Sequence, residues 1–231
     1  MTAGRLAPAA LLFDLDGTLA DSFAGIRKAL NRALAEAGLP AHDLDWVRRH
    51  VGRGAAALVR DAAGPDATDA VAAALRARFE RVYEEIFLAE TPAYPDVAEV
   101  LASTAGRTGG RVAVISNKYE PLSRALLAHW GVAGSVAAVV GPDTFGVRKP
   151  DPGTVLPVLA GFGVAPGDAL LVGDMEVDAA TGRAAGVPVV GVRGESTTPE
   201  ALRAAGMVAV LDRLGDLPAW LAENGTGWGY H

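Results

Sequence analysis

Asp14-Leu15-Asp16-Gly17-Thr18 directly follows the apolar run Leu11-Leu12-Phe13. In an extended strand, positions i and i+2 point to the same face. Leu15 can therefore enter a core while the carboxylates of Asp14 and Asp16 both approach the strand's carboxyl end. Gly17 allows a sharp turn and close approach of a ligand, and Thr18 brings a hydroxyl able to orient a neighbouring carboxylate. A solvated Asp-Gly turn is the ordinary alternative, but an apolar run leading straight into two carboxylates argues against it. Three later segments carry reactive types at similar places. Ser116-Asn117-Lys118 follows the β-branched run Val112–Ile115, Arg148-Lys149-Pro150 precedes a helical stretch, and Gly173-Asp174 follows Ala169–Val172 with Asp178 one helical turn later. Taken singly, a Ser-Asn pair is a common helix cap, a Lys before Pro a surface charge and a Gly-Asp a strand end. Together they bring a hydroxyl, an amide, an ammonium and further carboxylates to one acidic pair.

Elements must exist to converge these groups. Short apolar runs at 11–15, 112–115, 136–140, 169–172, 187–192 and 207–211 read as buried strands. Helical stretches are expected over 97–104, 121–129, 154–161 and 177–185, with Asp96 and Asp151 as caps and Gly186 as a stop. Strands alternating with helices predict an α/β fold: a Rossmann-like parallel sheet with helices on both faces. Ligands bind such sheets at the carboxyl ends of the strands. Residues 22–90 break the alternation with helical spacing alone, as in Ile26, Leu30, Ala33, Leu34 and Ala37. The expected division is a sheet core formed by 1–20 and 91–231, with an inserted all-helical domain over 21–90. The Gly-rich tail from Asn224 to His231 has no pattern and is expected to be mobile or docked by its aromatics.

Composition narrows the chemistry. The 231 residues carry 21 Lys+Arg against 27 Asp+Glu, a net charge of −6, and no cysteine. Disulfides, thiolate zinc, iron–sulfur clusters and a cysteine nucleophile are excluded. Negative charge without a basic run argues against nucleic acid or an anionic membrane as partner, and no apolar window has the length of a membrane span. A reducing, cytoplasmic setting is expected; the oligomeric state is left open. Only Lys28, Lys118 and Lys149 are lysines, and two of the three fall in the reactive segments.

These four segments resemble, in order and separation, the motifs of the haloacid dehalogenase superfamily of phosphohydrolases, and within it the phosphoglycolate phosphatase group. DLDGT at 14–18 resembles the family's signature, Ser116 its second motif, Lys149 its third, and Gly173-Asp174 with Asp178 its fourth. The helical insertion lies where the family places its cap. The resemblance implies a Mg²⁺-dependent phosphatase of a small phosphorylated metabolite, most simply 2-phosphoglycolate. In it Asp14 attacks phosphorus and forms an aspartyl-phosphate, and Asp16 serves as general acid and then base. Ser116, Lys149, Gly17 and the Asn117 backbone N–H would hold the phosphoryl oxygens. Asp14, the Asp16 carbonyl and Asp174 would ligate Mg²⁺, with Asp178 behind them. The fourth motif reads GDMEVD, with Met175 where the family has a small polar residue.

His50-Val51-Gly52-Arg53-Gly54 resembles the group's cap loop, which implies that Gly52, Arg53 and Gly54 face the substrate and that Arg53 could meet a carboxylate, although a loop Arg in so Arg-rich a chain is usually solvated. The same glycines fit a dinucleotide fingerprint, which fails because no strand precedes it. Arg48-Arg49 and the Arg/Glu stretch 76–81 read as solvated helix faces. His42, His50, His129 and His231 have no metal-ligand spacing, and packing is the expected role of the tryptophans. A phosphosugar mutase like β-phosphoglucomutase and a phosphatase for a nucleotide or pyrophosphate share the motifs. A signalling receiver domain shares an acceptor Asp and a Lys, but explains neither Asp16 nor the insertion.

Overall fold

The computed structural model describes residues 8–224; residues 1–7 and most of the aromatic tail, 225–231, lie outside it, with Trp228 and His231. Its strands are β1 (Ala10–Phe13), β2 (Val112–Ile115), β3 (Ala138–Val140), β4 (Ala169–Gly173), β5 (Val189–Val192) and β6 (Ala209–Leu211). They form one parallel sheet in the order β3-β2-β1-β4-β5-β6. Leu11 sits beside Val112 on one side and Leu170 on the other. Leu11, Phe13, Val114 and Val172 pack into one buried cluster, and Leu12, Ile115, Leu171 and Val189 into another. With both faces covered, the strands show as unbroken apolar runs.

The chain order reverses around β1. Successive strands run outward to β3 on one side and, after β4, outward to β6 on the other. Ligands bind open α/β sheets at such a switch point, beyond the strand's carboxyl end, and that is where β1 delivers Asp14.

Between β1 and β2 the chain makes a helical excursion: α1 (Phe23–Glu36), α2 (Leu44–His50), α3 (Ala55–Ala63) and α4 (Asp69–Glu90). Its two ends are tied together beside the sheet. Asp21 N donates to Pro92 O at 3.0 Å and Tyr94 N to Leu19 O at 3.0 Å. Asp43 and Thr68 cap α2 and α4 by accepting from Trp46 N at 2.7 Å and Val71 N at 3.3 Å, each satisfying an otherwise orphaned donor. Leu30 and Leu34 of α1, Leu58 of α3, and Leu75 and Phe79 of α4 are buried in the same apolar cluster as Leu11 and Phe13. Trp46 stacks between His42 and His50, with ring centroids 3.8 Å apart on each side.

The remaining helices are α5 (Val97–Thr108), α6 (Glu120–His129), α7 (Leu156–Phe162), α8 (Glu176–Ala185), α9 (Pro199–Ala204) and α10 (Leu217–Asn224). Three details correct the sequence reading. Asp96 makes no capping bond to α5; its carboxylate lies 3.8 Å from Arg213 instead. Asp151 caps the short turn Pro152–Thr154 rather than α7 itself, accepting from Gly153 N at 2.8 Å. Val136 closes a 3₁₀ turn over Ala133–Ser135, so β3 begins later than its apolar run.

Candidate active site

The strand ends bring the reactive residues together. Asp14, first after β1, is buried, and Lys149 Nζ lies 2.7 Å from its Oδ1. The same ammonium donates to Asp178 Oδ1 at 2.7 Å. Asp178 stands in the first turn of α8, and its second oxygen accepts from Met175 N at 3.1 Å. Both of its oxygens are thus engaged in holding Lys149 and the start of α8. Asp174, after β4, accepts from Thr18 Oγ1 at 2.8 Å through Oδ1. Its Oδ2 is buried with no hydrogen-bond partner among the described residues.

Charge in this cluster is unbalanced. Asp14, Asp174 and Asp178 bring carboxylate oxygens within 4.8 Å of one another, while among the described residues Lys149 is the one ammonium bonded to them. Burial, only partly offset by Lys149 and reinforced by Asp178, pushes the Asp14 carboxyl up to about 7. Burial and the neighbouring Asp14 and Asp178 charges hold Asp174 well above the usual carboxylate range, against the Thr18 hydrogen bond. Burial alone would lower Lys149, but Asp14 and Asp178 outweigh it and raise it. A hard divalent cation fits this donor set: all-oxygen, over-negative, and with one carboxylate oxygen of Asp174 lacking a partner among the described residues. Gly17 makes that arrangement possible. Its φ is +90°, and a Cβ there would overlap the Asp174 carboxylate. Gly17 thus packs directly on Asp174.

Above the cluster opens a cavity of about 170 Å³, lined by Asp14, Asp16, Ser116, Asn117 and Lys149 on the sheet side. Ser116 is buried and its Oγ accepts from Lys118 N at 3.1 Å. Asn117 ties three segments: Nδ2 donates to Gly52 O at 2.7 Å and Lys149 O at 3.2 Å, and Oδ1 accepts from Lys149 N at 2.9 Å. Lys118 Nζ forms an ion pair with Asp16 Oδ1 at 3.0 Å and donates to Tyr83 OH at 2.9 Å. Burial opposes its charge, but Asp16 and Tyr83 overcome that and raise its pKa.

The helical excursion supplies the opposite wall. Gly52 and Gly54 line the cavity, as does α4 through Arg76, Phe79, Tyr83 and Glu84. Arg53 does not. Its guanidinium pairs with Asp61 on α3 and its side chain is 61% exposed, so the expectation that it faces the substrate is corrected. A left-handed φ of +109° at Gly52 and +87° at Gly54 turns the two glycines inward, and the residue between them is left on the outer side. The Arg/Glu stretch is likewise only half solvated. Arg76 bonds Glu80 at 2.8 Å and reaches Tyr119 OH, while Arg81 stays on the surface with Glu36 and Glu85. Arg48 crosses to Glu195. The spacing of Arg76, Phe79, Glu80, Tyr83 and Glu84 is the signal that could have found this wall, because i, i+3, i+4 and i+7 share one helix face. Met175 lies against Gly52, where a Cβ would strike its sulfur. The unusual residue of GDMEVD therefore meets the glycine-bearing loop.

This fold and cluster define a sheet-edge acidic site of the phosphotransfer kind. The profile of the haloacid dehalogenase-like hydrolases matches residues 11–192, and the chain belongs to that family. It is 42% identical over 221 residues to the phosphoglycolate phosphatase of Rhodospirillum rubrum, covering 93% of this chain and 91% of that one. It is 36% identical to the phosphoglycolate phosphatase of Pseudomonas putida, covering 95% and 82%. A haloacid dehalogenase-like hydrolase of Streptococcus pneumoniae, 17% identical, superposes with a TM-score of 0.82 over 94% of this chain and 98% of that structure, a likeness of fold. Among the described residues no helix is long and apolar enough to cross a membrane.

Proposed function

We propose that this chain is a magnesium-dependent phosphatase that hydrolyses 2-phosphoglycolate or a closely similar small phosphate monoester through a phosphorylated Asp14. The observation that carries the reading is the cluster at the end of β1: a buried carboxylate, Asp14, held 2.7 Å from a buried ammonium with Asp16 beside it at the floor of a cavity. Phosphate monoesters are among the slowest substrates to hydrolyse unaided, and a covalent intermediate divides the reaction into two easier steps. The substrate is read from the relatives named above.

In this reading Asp14 supplies an oxygen to phosphorus, and Lys149 and Ser116 offset the charge on the phosphoryl oxygens. Asp16 gives a proton to the leaving alkoxide and then takes one from the water that cleaves the intermediate. Lys118 fixes Asp16 from the side, and Asp178 fixes Lys149. Asp14, Asp174 and the Asp16 backbone carbonyl would hold Mg²⁺, since the Asp16 side chain is turned to Lys118 and both Asp178 oxygens are already bonded. When bound, the ion would neutralise negative charge between nucleophile and phosphate. Residues 21–90 act as a cap domain over the core formed by 1–20 and 91–231, closing the cavity from water. A cytoplasmic setting accompanies this reading and rests on the cysteine-free composition.

Phosphate release from a panel of phosphorylated metabolites, with and without Mg²⁺, tests it. Magnesium-dependent release that is greatest with 2-phosphoglycolate is expected. A preference for a sugar phosphate, with dependence on a sugar bisphosphate, would replace the reading with a mutase.

A further inference from the structure

A substrate with a carboxylate beside its phosphate needs a second cation, and Arg53 is turned away from the cavity. Four other cationic side chains line it: Arg76, Lys118, Arg148 and Lys149. Three are already committed. Lys149 is held by Asp14 and Asp178, Lys118 by Asp16 and Tyr83, and Arg76 by Glu80 and Tyr119. Arg148 has no ion pair or side-chain hydrogen bond among the described residues. It is exposed, it immediately precedes Lys149 in the chain, and its Nη1 lies about 3.6 Å from where a Cβ of Gly54 would stand.

We propose that Arg148 is the specificity-determining residue that receives the substrate's carboxylate, an inference resting on the phosphatase reading above. Arg148 lines the same cavity as Asp14, Ser116 and Lys149, so a small substrate held there by its phosphate has this guanidinium in the cavity wall. A guanidinium presents two parallel N–H donors to a carboxylate, which an ammonium does not. Gly54 leaves the space between loop and guanidinium free of a side chain. The first turn of α3, starting at Ala55, holds no carboxylate to compete for it. Glu84 on α4 lines the cavity as well, and its charge turns an anionic tail away from that wall.

Steady-state kinetics of the full chain with Mg²⁺ decide it, using 2-phosphoglycolate, phospholactate and the carboxylate-free p-nitrophenyl phosphate on wild type, Arg148→Gln and Arg148→Lys. Arg148→Gln should raise KM for the two phosphorylated acids about tenfold or more, the scale of one charge-assisted pair. Its kcat and KM for p-nitrophenyl phosphate should stay within about twofold of wild type, and Arg148→Lys should recover part of the loss. Because the side chain is exposed and unpaired, an unchanged thermal midpoint is expected for both variants. An equal effect on all substrates, or no effect on any, overturns the assignment while leaving the phosphatase reading intact. A wild type that cleaves p-nitrophenyl phosphate but neither acid overturns the substrate reading and the Arg148 assignment with it.

Discussion

Lys149 and Arg76 both line the cavity, but they reach it by different means. Lys149 comes from a loop at the sheet edge, and its ammonium is held between Asp14 and Asp178, themselves fixed by β1 and the start of α8. The ammonium and both carboxylates are buried, and the carboxylates are placed by a strand end and by the first turn of a helix. Arg76 comes from the middle of a 22-residue helix and bonds Glu80 and Tyr119 at the margin of solvent. On the first wall, removing the ammonium leaves two buried carboxylates uncompensated. On the second, a lost partner is replaced by water. The sheet-side wall is therefore expected to be chemically invariant and intolerant of change, and the helical wall to be adjustable. Substrate choice belongs to the rim where the two meet.

The largest effect should come from the sheet side. Asp14→Asn removes the nucleophile and should abolish turnover by several orders of magnitude while the fold persists. With one fewer carboxylate in an over-negative cluster, the metal-free variant should melt no lower than wild type; a lower melting temperature would mean that the carboxylate is stabilising. Next is Lys149→Met, which strips the ammonium from two buried carboxylates and should cost about 3–5 kcal/mol, the usual result of breaking a buried pair from one side. Urea unfolding measures it, and a cost no larger than that of a surface substitution would contradict the sheet-side account.

A third effect follows from protons. Burial pushes the folded Asp14 carboxyl up to about 7, above the 3.8 of an exposed aspartate. Between these values the metal-free native state binds more protons than the unfolded chain, so its stability should fall as pH rises through that window and level off above about 7. A divalent ion competes with that proton. Mg²⁺ should raise the thermal midpoint more above pH 7 than below pH 6, as melts at both pH values with and without the ion would show. The smallest effect belongs to the outer side of the helical region. Arg53→Ala loses an exposed pair with Asp61 and should change stability by less than about 1 kcal/mol, with KM for 2-phosphoglycolate unaltered. A raised KM would bring Arg53 back into the site.

The same contrast explains what the sequence could disclose. β2 is found at Val112–Ile115 as read, and the parallel sheet is legible because strands buried on both faces show as unbroken apolar runs, whereas their order is not. Asp14, Ser116 and Asp174 each directly follow a strand, and a strand end fixes where its next residue goes; Lys149, in a loop, was legible only through its motif. Arg53 could not be placed, because the direction of a loop side chain between two left-handed glycines depends on what lies beside it, here Asp61. The commitment of Lys118 to Tyr83 was equally hidden, since it joins residues 35 positions apart. α9 and α10 were missed for another reason. They are short, and their order rests on burying Leu202 in one case and Leu217 with Leu221 in the other, which is tertiary packing rather than local periodicity.

The covalent step is the centre of this account. The most direct test is acid quenching of the enzyme during turnover of 2-phosphoglycolate with Mg²⁺, followed by proteolysis and mass spectrometry of the peptide carrying Asp14. A phosphoryl group on Asp14 that forms and decays at the rate of phosphate release, and that accumulates when Asp16 is replaced by Asn and the substrate is p-nitrophenyl phosphate, whose leaving group departs without a proton, is the predicted result. Steady turnover with Asp14 unmodified at every quench time in both enzymes, or a phosphoryl group on another residue, would contradict it.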